Sequence, residues 1–581
     1  MRIRMSVLPL LVLLWWLPAQ AQETVLLKAM GDEMTRAMED LQLGGMDKPY
    51  FVSYTVLEST SSRASAVLGA IASRREGSSR LLAVEVRVGD KDLDNTNFST
   101  RPDFGSALAS AAFPSLLPLE DDYHELRRKI WLATDSAYKQ ALDHLSKKRA
   151  ALQNTTRVEE VPDFSEQEPY KYSDDRSVSR PDPQAVETLA LDVSKAFDGM
   201  PHVFVSEVRA EMQLERLTYL NSEGSSFTRL DPSASVRILA GTQAEDGTAL
   251  EDSISAYGRS WDELPDTETL KSRAQRLSER LRELRAANYL DRYSGPVLFE
   301  RQAAAAIVRR VLLPRLLASR APVVDDPRSS RSAGRGGNPF LDKLGARVLP
   351  RFLGVVNDPT LEQHDQTPLL GGYPVDDEGV PARETVLVQR GILKTLLATR
   401  NPVPGVPAST ASRRSAGPGP SNVLIVPQQG LEADELRSEL LALVQERDLE
   451  FGILVRHIGS PQGRIPSARR GSRGPGGQGL VGPVVAYRIF PDGREELIRQ
   501  ADLVGVTESS FRDIVAASND TFVYTTTFVA GSSSFSGLTS LRRSSMTSLV
   551  VPSLLFEDLT LRRPRGNIPR PPVLPHPLAG P

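Results

Sequence analysis

The chain has 581 residues, 40% of them hydrophobic and 25% charged, with 70 lysines and arginines against 73 aspartates and glutamates. Such a length buries large cores and implies about two to four domains, while a formal charge of −3 leaves no global basicity for nucleic acid. The absence of cysteine excludes thiol nucleophiles, redox pairs and any cysteine-containing metal site.

Taken in order, residues 1–21 read as a secretory signal. Arg2 and Arg4 precede a short apolar run from Ser6 to Leu17, and Ala19-Gln20-Ala21 offers the small residues that a signal peptidase needs. The expectation is cleavage after Ala21 and a secreted or periplasmic protein. The run is too short to span a bilayer, so no stable membrane insertion is expected after cleavage. A lack of disulfides is compatible with export when the cores are large.

Residues 22–161 are expected to form an N-terminal α/β domain. Glu23–Glu39 places Leu26, Leu27, Met30, Met34 and Met38 at three- and four-residue steps, the pattern of an amphipathic helix. Tyr50–Glu58 and Leu82–Val88 alternate as strands, and Ala64–Ile71 does so less clearly. Asp121–Leu152 is acidic at its start and basic at its end, which suits one long helix. The polar, proline-punctuated segment Pro162–Pro183 reads as a linker, within residues 162–185.

A middle α/β region, residues 186–292, begins with a helix over Val186–Phe197. Strand-like runs follow at Val203–Leu214, Arg216–Asn221 and Ser235–Ala240, with turns at Ser222-Glu223-Gly224 and Glu245-Asp246-Gly247. In Asp266–Asn288 the residues Leu270, Ala274, Leu277, Leu281 and Leu284 fall at steps of four and three, a helical seam against one surface.

Residues 293–561 read as β-rich. They open on Pro296-Val297-Leu298-Phe299, which turns directly into the helix-propagating run Ala303–Ala306. Ile307, Val308, Val311, Leu312 and Leu313 make this helix apolar on nearly all sides except at Arg309 and Arg310, and Pro314 bends or ends it. Strands are expected at Thr385–Val388, Val423–Val426, Gly452–Ile458, Val484–Ile489 and Phe522–Val529, with a helix at Glu432–Glu446. Arg328–Pro339 and Pro466–Gly479 lack apolar periodicity, and Arg562–Pro581 is a proline-rich tail.

The run YSGPVLFERQAAAAIV (Tyr293–Val308) resembles the start of the central helix in the TldD/PmbA family, once described as modulators of DNA gyrase and now regarded as metallopeptidases. The resemblance continues through GVVNDPT (Gly354–Thr360), GGYPVDDEGVPARETVLVQRGILKTLLATR (Gly371–Arg400), SNVLIVP (Ser421–Pro427) and AYRIFPDGREELIRQADL (Ala486–Leu503). It implies an α+β fold, with an N-terminal α/β region followed by a β-rich C-terminal domain that dimerises around a cavity. It also implies action on unfolded peptides.

In active members the central helix carries H-E-x-x-x-H, and a distant cysteine completes a zinc site with the glutamate as general base. The matching positions here are Arg309, Arg310 and Pro314. Arginine stays protonated and repels a cation, and proline has no donor atom. The resemblance therefore implies a scaffold without zinc, without a cofactor and without catalytic residues. As a dimer with itself or with a TldD-like homologue, it would hold unfolded peptides. A metallopeptidase with ligands elsewhere, and a peptide-binding or assembly protein without a peptidase partner, are the other readings. Arg309 and Arg310 are peptide-binding candidates on a chamber-lining helix, or else pair with carboxylates of the fold.

Weaker patterns read as structural. Gly372–Gly379 sets Asp376, Asp377 and Glu378 before a glycine, but the spacing is not that of an EF-hand, so a solvent-facing turn is expected. Gly474–Gly479 matches GxGxxG formally, yet an arginine-rich loop precedes it and a strand follows it. The histidines His124, His144, His202, His364, His457 and His576 show no HExxH or HxH spacing, although Asp365 adjoins His364. No G-x-S-x-G elbow exists, and Gly531–Ser534 reads as a loop.

Overall fold

Two long hairpins, each alternating inward and outward with period two, build the N-terminal half. The first joins Pro49–Val67 to Ala70–Val88, the second Val205–Asn221 to Ser226–Gln243, and Pro49–Val67 pairs antiparallel with Val205–Asn221. Ser115–Leu116, Lys171–Ser173 and Ala249–Gly258 complete a seven-stranded sheet. The computed structural model describes residues 24–99, 115–153, 161–320, 322–324, 338–459, 484–529, 541 and 543–564. The signal, Pro466–Gly479 with its GxGxxG match, Gly531–Ser534, His576, and nearly all of Arg328–Pro339 and of the tail lie outside the described residues.

Three expectations change here. Ala64–Ile71 is no separate strand but the tip of the first hairpin, where Leu68 and Gly69 turn the chain at φ of 48° and 75°. Val203–Leu214 and Arg216–Asn221 merge, because Glu215 continues the inward alternation and finds a buried partner. Ala249–Gly258 is an additional strand whose Glu251, Asp252, Ser253 and Ser255 hide the usual apolar alternation. Strands from residues 22–161 and 186–292 thus share one sheet. Within Pro162–Pro183, Lys171–Ser173 adds to that sheet in parallel register with Ser226–Thr228.

Helices cover one face of this sheet. Val25–Asp40 and Tyr123–Gln153 pack on Val52, Tyr54, Val56 and Val84, while Pro183–Ser194 and Thr267–Ala286 pack on Ala64, Val208, Val236 and Ile238. The seam Leu270, Ala274, Leu277, Leu281 and Leu284 is buried as its spacing predicts, and Asp266 caps the helix by accepting from the Thr269 amide at 2.7 Å. Among the described residues no helix is long and apolar enough to cross a membrane.

An eleven-stranded sheet forms the C-terminal half around Ser545–Arg562. That strand pairs antiparallel with Arg292–Phe299, Asp502–Val504 and Ile514–Phe528, and parallel with Asn422–Pro427. Leu549, Val550, Val551, Leu554, Leu555 and Phe556 are buried, so both faces are covered and the sequence shows a continuous apolar run instead of alternation. Pro552 lies beside a register shift, where its missing N–H is tolerated. The helix Ala433–Glu446 and the strands Thr385–Gln389, Gly452–Ile458 and Val484–Ile489 fall where the sequence predicts them.

Candidate functional site

The strand Arg292–Phe299 delivers the chain to the central helix, and polar anchors fix the junction. Glu300 accepts from Arg437 at 2.9 and 3.1 Å and from Arg456 at 3.2 Å. Gln302 bonds both backbone groups of Ile458, at 3.2 and 2.9 Å. Ala303, Ala304, Ala305 and Ala306 are buried against the sheet, where larger side chains would hold the helix off.

After Ile307 the α-helix opens into a π-helical turn, Val308–Leu312, followed by a 3-10 turn, Leu313–Leu316. Pro314 has no N–H to donate to the Arg310 carbonyl, so regular α geometry cannot continue and the turn widens. Arg309 and Arg310 sit half-buried in that turn, and Pro314 is exposed beyond it. Arg310 donates through Nη2 to the Gly459 carbonyl, while its Nη1 is buried with no partner among the described residues. Burial, then the neighbouring Arg309 charge, pushes the Arg310 pKa down. Among the described residues no carboxylate pairs with Arg309 or Arg310.

The histidines are dispersed and engaged. His457 faces Asp252 at 2.9 Å, His202 meets Ser278 at 2.7 Å, and His364 meets Thr521 at 2.8 Å with Asp365 at 3.4 Å. His144 is buried in the helix Tyr123–Gln153, and burial pushes its pKa down. His124 packs edge-on against Tyr123. Among the described residues no three histidine, aspartate or glutamate side chains converge so as to hold a metal ion.

The acidic turn departs from expectation. Asp376, Asp377 and Glu378 do not face solvent: Asp376 is 0% and Glu378 6% exposed, against the inner face of the N-terminal sheet. Arginines from both halves of the chain draw them in. Arg229 forks onto Asp231 and donates to Asp377 at 2.7 Å and to the Val375 carbonyl. Arg543 reaches Glu215 at 2.9 Å, Asp377 at 3.4 Å, and Asp231. Arg413 holds Glu378 at 3.0 Å, and Glu378 also accepts from the Arg400 amide at 2.8 Å. Gly379 closes the turn at φ of +82°, where a Cβ would crowd Ser225 at 3.2 Å and Tyr219 at 3.3 Å.

These carboxyls diverge in proton affinity. Burial alone would raise Asp377, but Arg229, Arg543 and Arg414 outweigh it and bring the group down to about 2. The same competition holds Asp231 far below the usual carboxylate range. At Asp376 burial and the adjacent Glu378 win over three backbone N–H donors, so its pKa rises. Glu215 also rises, because burial outweighs Arg543 there. Arg414 is pushed down by burial and by Arg229; it lies 4.4 Å over the Tyr373 ring, with Nε and Nη1 buried and unpartnered among the described residues. A cleft of about 50 Å³ between Thr55, Tyr219, Asp377 and Arg543 admits a few waters but no peptide.

A second clasp lies beside the first. The Phe164 ring is sandwiched between the guanidinium groups of Arg87 and Arg400 at 3.8 and 3.9 Å, and Lys148 forms a buried ion pair with Asp163. The start of the expected linker is therefore pinned to both halves. Sequence reasoning did not single out Arg229, Asp231, Glu215 or Arg543. The available signal was Phe227, Arg229 and Asp231 alternating on one strand face, charges continuing where an apolar residue begins.

A family model described as the PmbA/TldA metallopeptidase C-terminal domain matches residues 292–468. A metalloprotease of Methanocaldococcus jannaschii is 44% identical over 61 residues, 10% of this chain and 12% of that protein, so the chain matches only a small part of this relative's length. TldE from Thermococcus kodakarensis superposes with a TM-score of 0.55 at 15% identity, covering 92% of this chain and 100% of that one. A Thermotoga maritima protein described as a candidate modulator of a DNA gyrase gives a TM-score of 0.54 at 15% identity, covering 88% of this chain and 96% of that one. At such identity these two structures establish a shared mixed α/β fold.

Proposed function

Because this chain belongs to the TldD/PmbA family, we propose that it is a zinc-less, non-catalytic member that holds unfolded peptide segments as one part of a cage, beside itself or a TldD-like homologue. The observation that carries this reading is the donor set on the central helix. Where H-E-x-x-x-H stands in active members, the π turn presents Arg309 and Arg310, and Pro314 follows. Two guanidinium groups repel a dication and proline offers no donor, so zinc does not fit these residues. The dispersed histidines favour the same reading. A peptide between the two sheets would be bound and positioned by this chain, and cleavage would need a partner that supplies the catalytic groups.

The basic start, short apolar run and Ala19-Gln20-Ala21 site support a secreted or periplasmic location. N-terminal sequencing of the protein from its native host is expected to begin at Gln22, and an intact Met1 in the cytoplasm would contradict export. Elemental analysis after dialysis against trace zinc tests the absence of the metal. The expected result is no stoichiometric zinc and no peptide cleavage by the isolated chain. One tightly held zinc per chain, with cleavage that a chelator abolishes, would instead establish a metallopeptidase with non-standard ligands.

A further inference from the structure

The inner face of the N-terminal sheet changes character along its length. At Leu217, Tyr219, Phe227 and Arg229 the C-terminal half closes over it. Next on this face comes Glu215, which Arg543 holds at 2.9 Å and to which Gln213 donates at 2.8 Å. Beyond Gln213, period two brings up Arg63, Glu211, Arg209 and Arg237 among serines, with no aliphatic side chain between them. The opposite face of the same strands is apolar at Ala64, Val208, Val236 and Ile238 and lies under helices. The polar stretch is therefore a property of the inner face alone.

The strand register gathers its arginines into two adjacent rows. Arg63 stands directly opposite Arg75 of the outer strand Ala70–Val88 and, on its other side, opposite Glu211. In the next row Arg209 stands opposite Ser65 and, on its other side, opposite Arg237. Ser65 and Ser73 share a hydrogen bond of 2.8 Å, so this row reaches the outer strand on the same face. Two pairs of like charge, Arg63 with Arg75 and Arg209 with Arg237, thus face each other with Cβ atoms about 5 Å apart, which is unfavourable without further counter-charge. Glu211 is engaged by Arg63 and Glu207 by Arg209 at 3.2 Å, so these two carboxylates serve four guanidinium groups. Arg237 Nε is buried with no partner among the described residues. The strip is also graded in exposure: Arg75 and Arg63 are exposed, Arg209 and Arg237 half-buried. Arg237 lies opposite Ser255 of Ala249–Gly258, the strand that touches Ile514–Phe528 of the C-terminal half. The arginines lead from solvent at the outer strand to where the two halves approach.

We infer that Arg75, Arg63, Arg209 and Arg237 form a strip that takes an acidic segment of a bound polypeptide, with aspartate or glutamate side chains at alternate positions. Three strand spacings of about 4.8 Å make a strip of about 14 Å, the length of four or five extended residues. Alternation then sets two or three carboxylates against the arginines. A guanidinium fork matches a carboxylate with two parallel N–H···O bonds, and each carboxylate relieves a pair of like charges. The exposed end at Arg75 and Arg63 attracts the segment, and the half-buried end holds it. The overall formal charge of −3 disfavours a nucleic acid as the occupant. The inference rests on the peptide-holding reading and adds the class of segment that is held.

The test uses the full mature chain and three fluorescent peptides of glycine, serine and glutamine, blocked at both ends, with glutamate, lysine or glutamine at alternate central positions. Binding is read by fluorescence anisotropy at low and high salt. The glutamate peptide is expected to bind about tenfold more tightly than the neutral one at low salt, the lysine peptide more weakly than either, and the preference to shrink at high salt. R209Q/R237Q should lose most of the preference, whereas R128Q, on an exposed helix face, should keep it. Equal binding of the glutamate and neutral peptides overturns the strip and leaves peptide holding intact. A thymidine oligonucleotide that binds as tightly as the glutamate peptide overturns the assignment to a polypeptide. If none of the peptides binds, the peptide-holding reading falls and the strip with it. Thermal midpoints report folding of each variant, and a folded R209Q/R237Q with the full preference overturns the assignment. Should that variant not fold, R75E at the exposed end decides: a reduced preference supports the strip, and an unchanged one overturns it.

Discussion

Arg543 serves three carboxylates at once, the buried Glu215 and the half-buried Asp231 and Asp377, and the consequences of removing it differ from those of losing a surface pair. Truncation leaves buried charge without compensation, so R543A is expected to lower the unfolding free energy by about 3–5 kcal/mol, read from urea denaturation. R128A, which breaks the exposed pair with Glu125, should leave the midpoint unchanged within error. The acid response follows from the same network. Asp377 has a folded pKa of about 2, below its ordinary 3.8, so its stabilising contribution is present above about pH 3.8 and is lost as pH falls toward about 2. Asp231 acts in the same direction, whereas Asp376, raised by burial and Glu378, favours the fold when protonated and loses that contribution as pH rises. The unfolding free energy should therefore drop steeply between pH 4 and 2, and D377N should flatten that limb; an unchanged limb in D377N would remove Asp377 from its origin.

Elements with one buried stripe were legible from sequence, as was the short buried strand Gly452–Ile458, whereas the long strand Ser545–Arg562, covered on both faces, was not. Thr267–Ala286 shows its seam openly because solvent lies on the other side, and every predicted seam position is buried. L277A should leave a cavity under this helix and cost about 2–5 kcal/mol, measured by the denaturant midpoint at unchanged slope; a loss below 1 kcal/mol would mean that the seam relaxes around it. Ser545–Arg562 could not be read by periodicity, since its apolar run is unbroken and contains Pro552. For the site, Arg309 and Arg310 were legible because two charges interrupt an otherwise apolar helix. The burial of Asp376, Asp377 and Glu378 was not, because their partners Arg229, Arg413 and Arg543 come from distant segments and local spacing carries no record of them.

The two sheets meet in a dense ionic lock, built from Arg229, Asp231, Asp377 and Arg543, and beyond it the same face of the N-terminal sheet is polar and half-buried at Arg209, Ser233, Ser235 and Arg237. If the half-buried region is one wall of a peptide-holding cage, another subunit must supply the opposing wall, through an interface of about 2,000 Å² or more for an obligate assembly. The apolar seam of Thr267–Ala286 cannot contribute, because it is consumed within the chain, which leaves the β-rich C-terminal half as the source of that surface. The mature protein is accordingly expected to be at least a dimer by light scattering at micromolar concentration. A pull-down from the host's exported fraction should retrieve a relative carrying H-E-x-x-x-H if the assembly is heteromeric. Peptide cleavage should then require both chains and disappear when the relative's glutamate is replaced. A strictly monomeric chain that captures no such relative, yet still binds peptides, would assign the whole function to peptide binding without a peptidase.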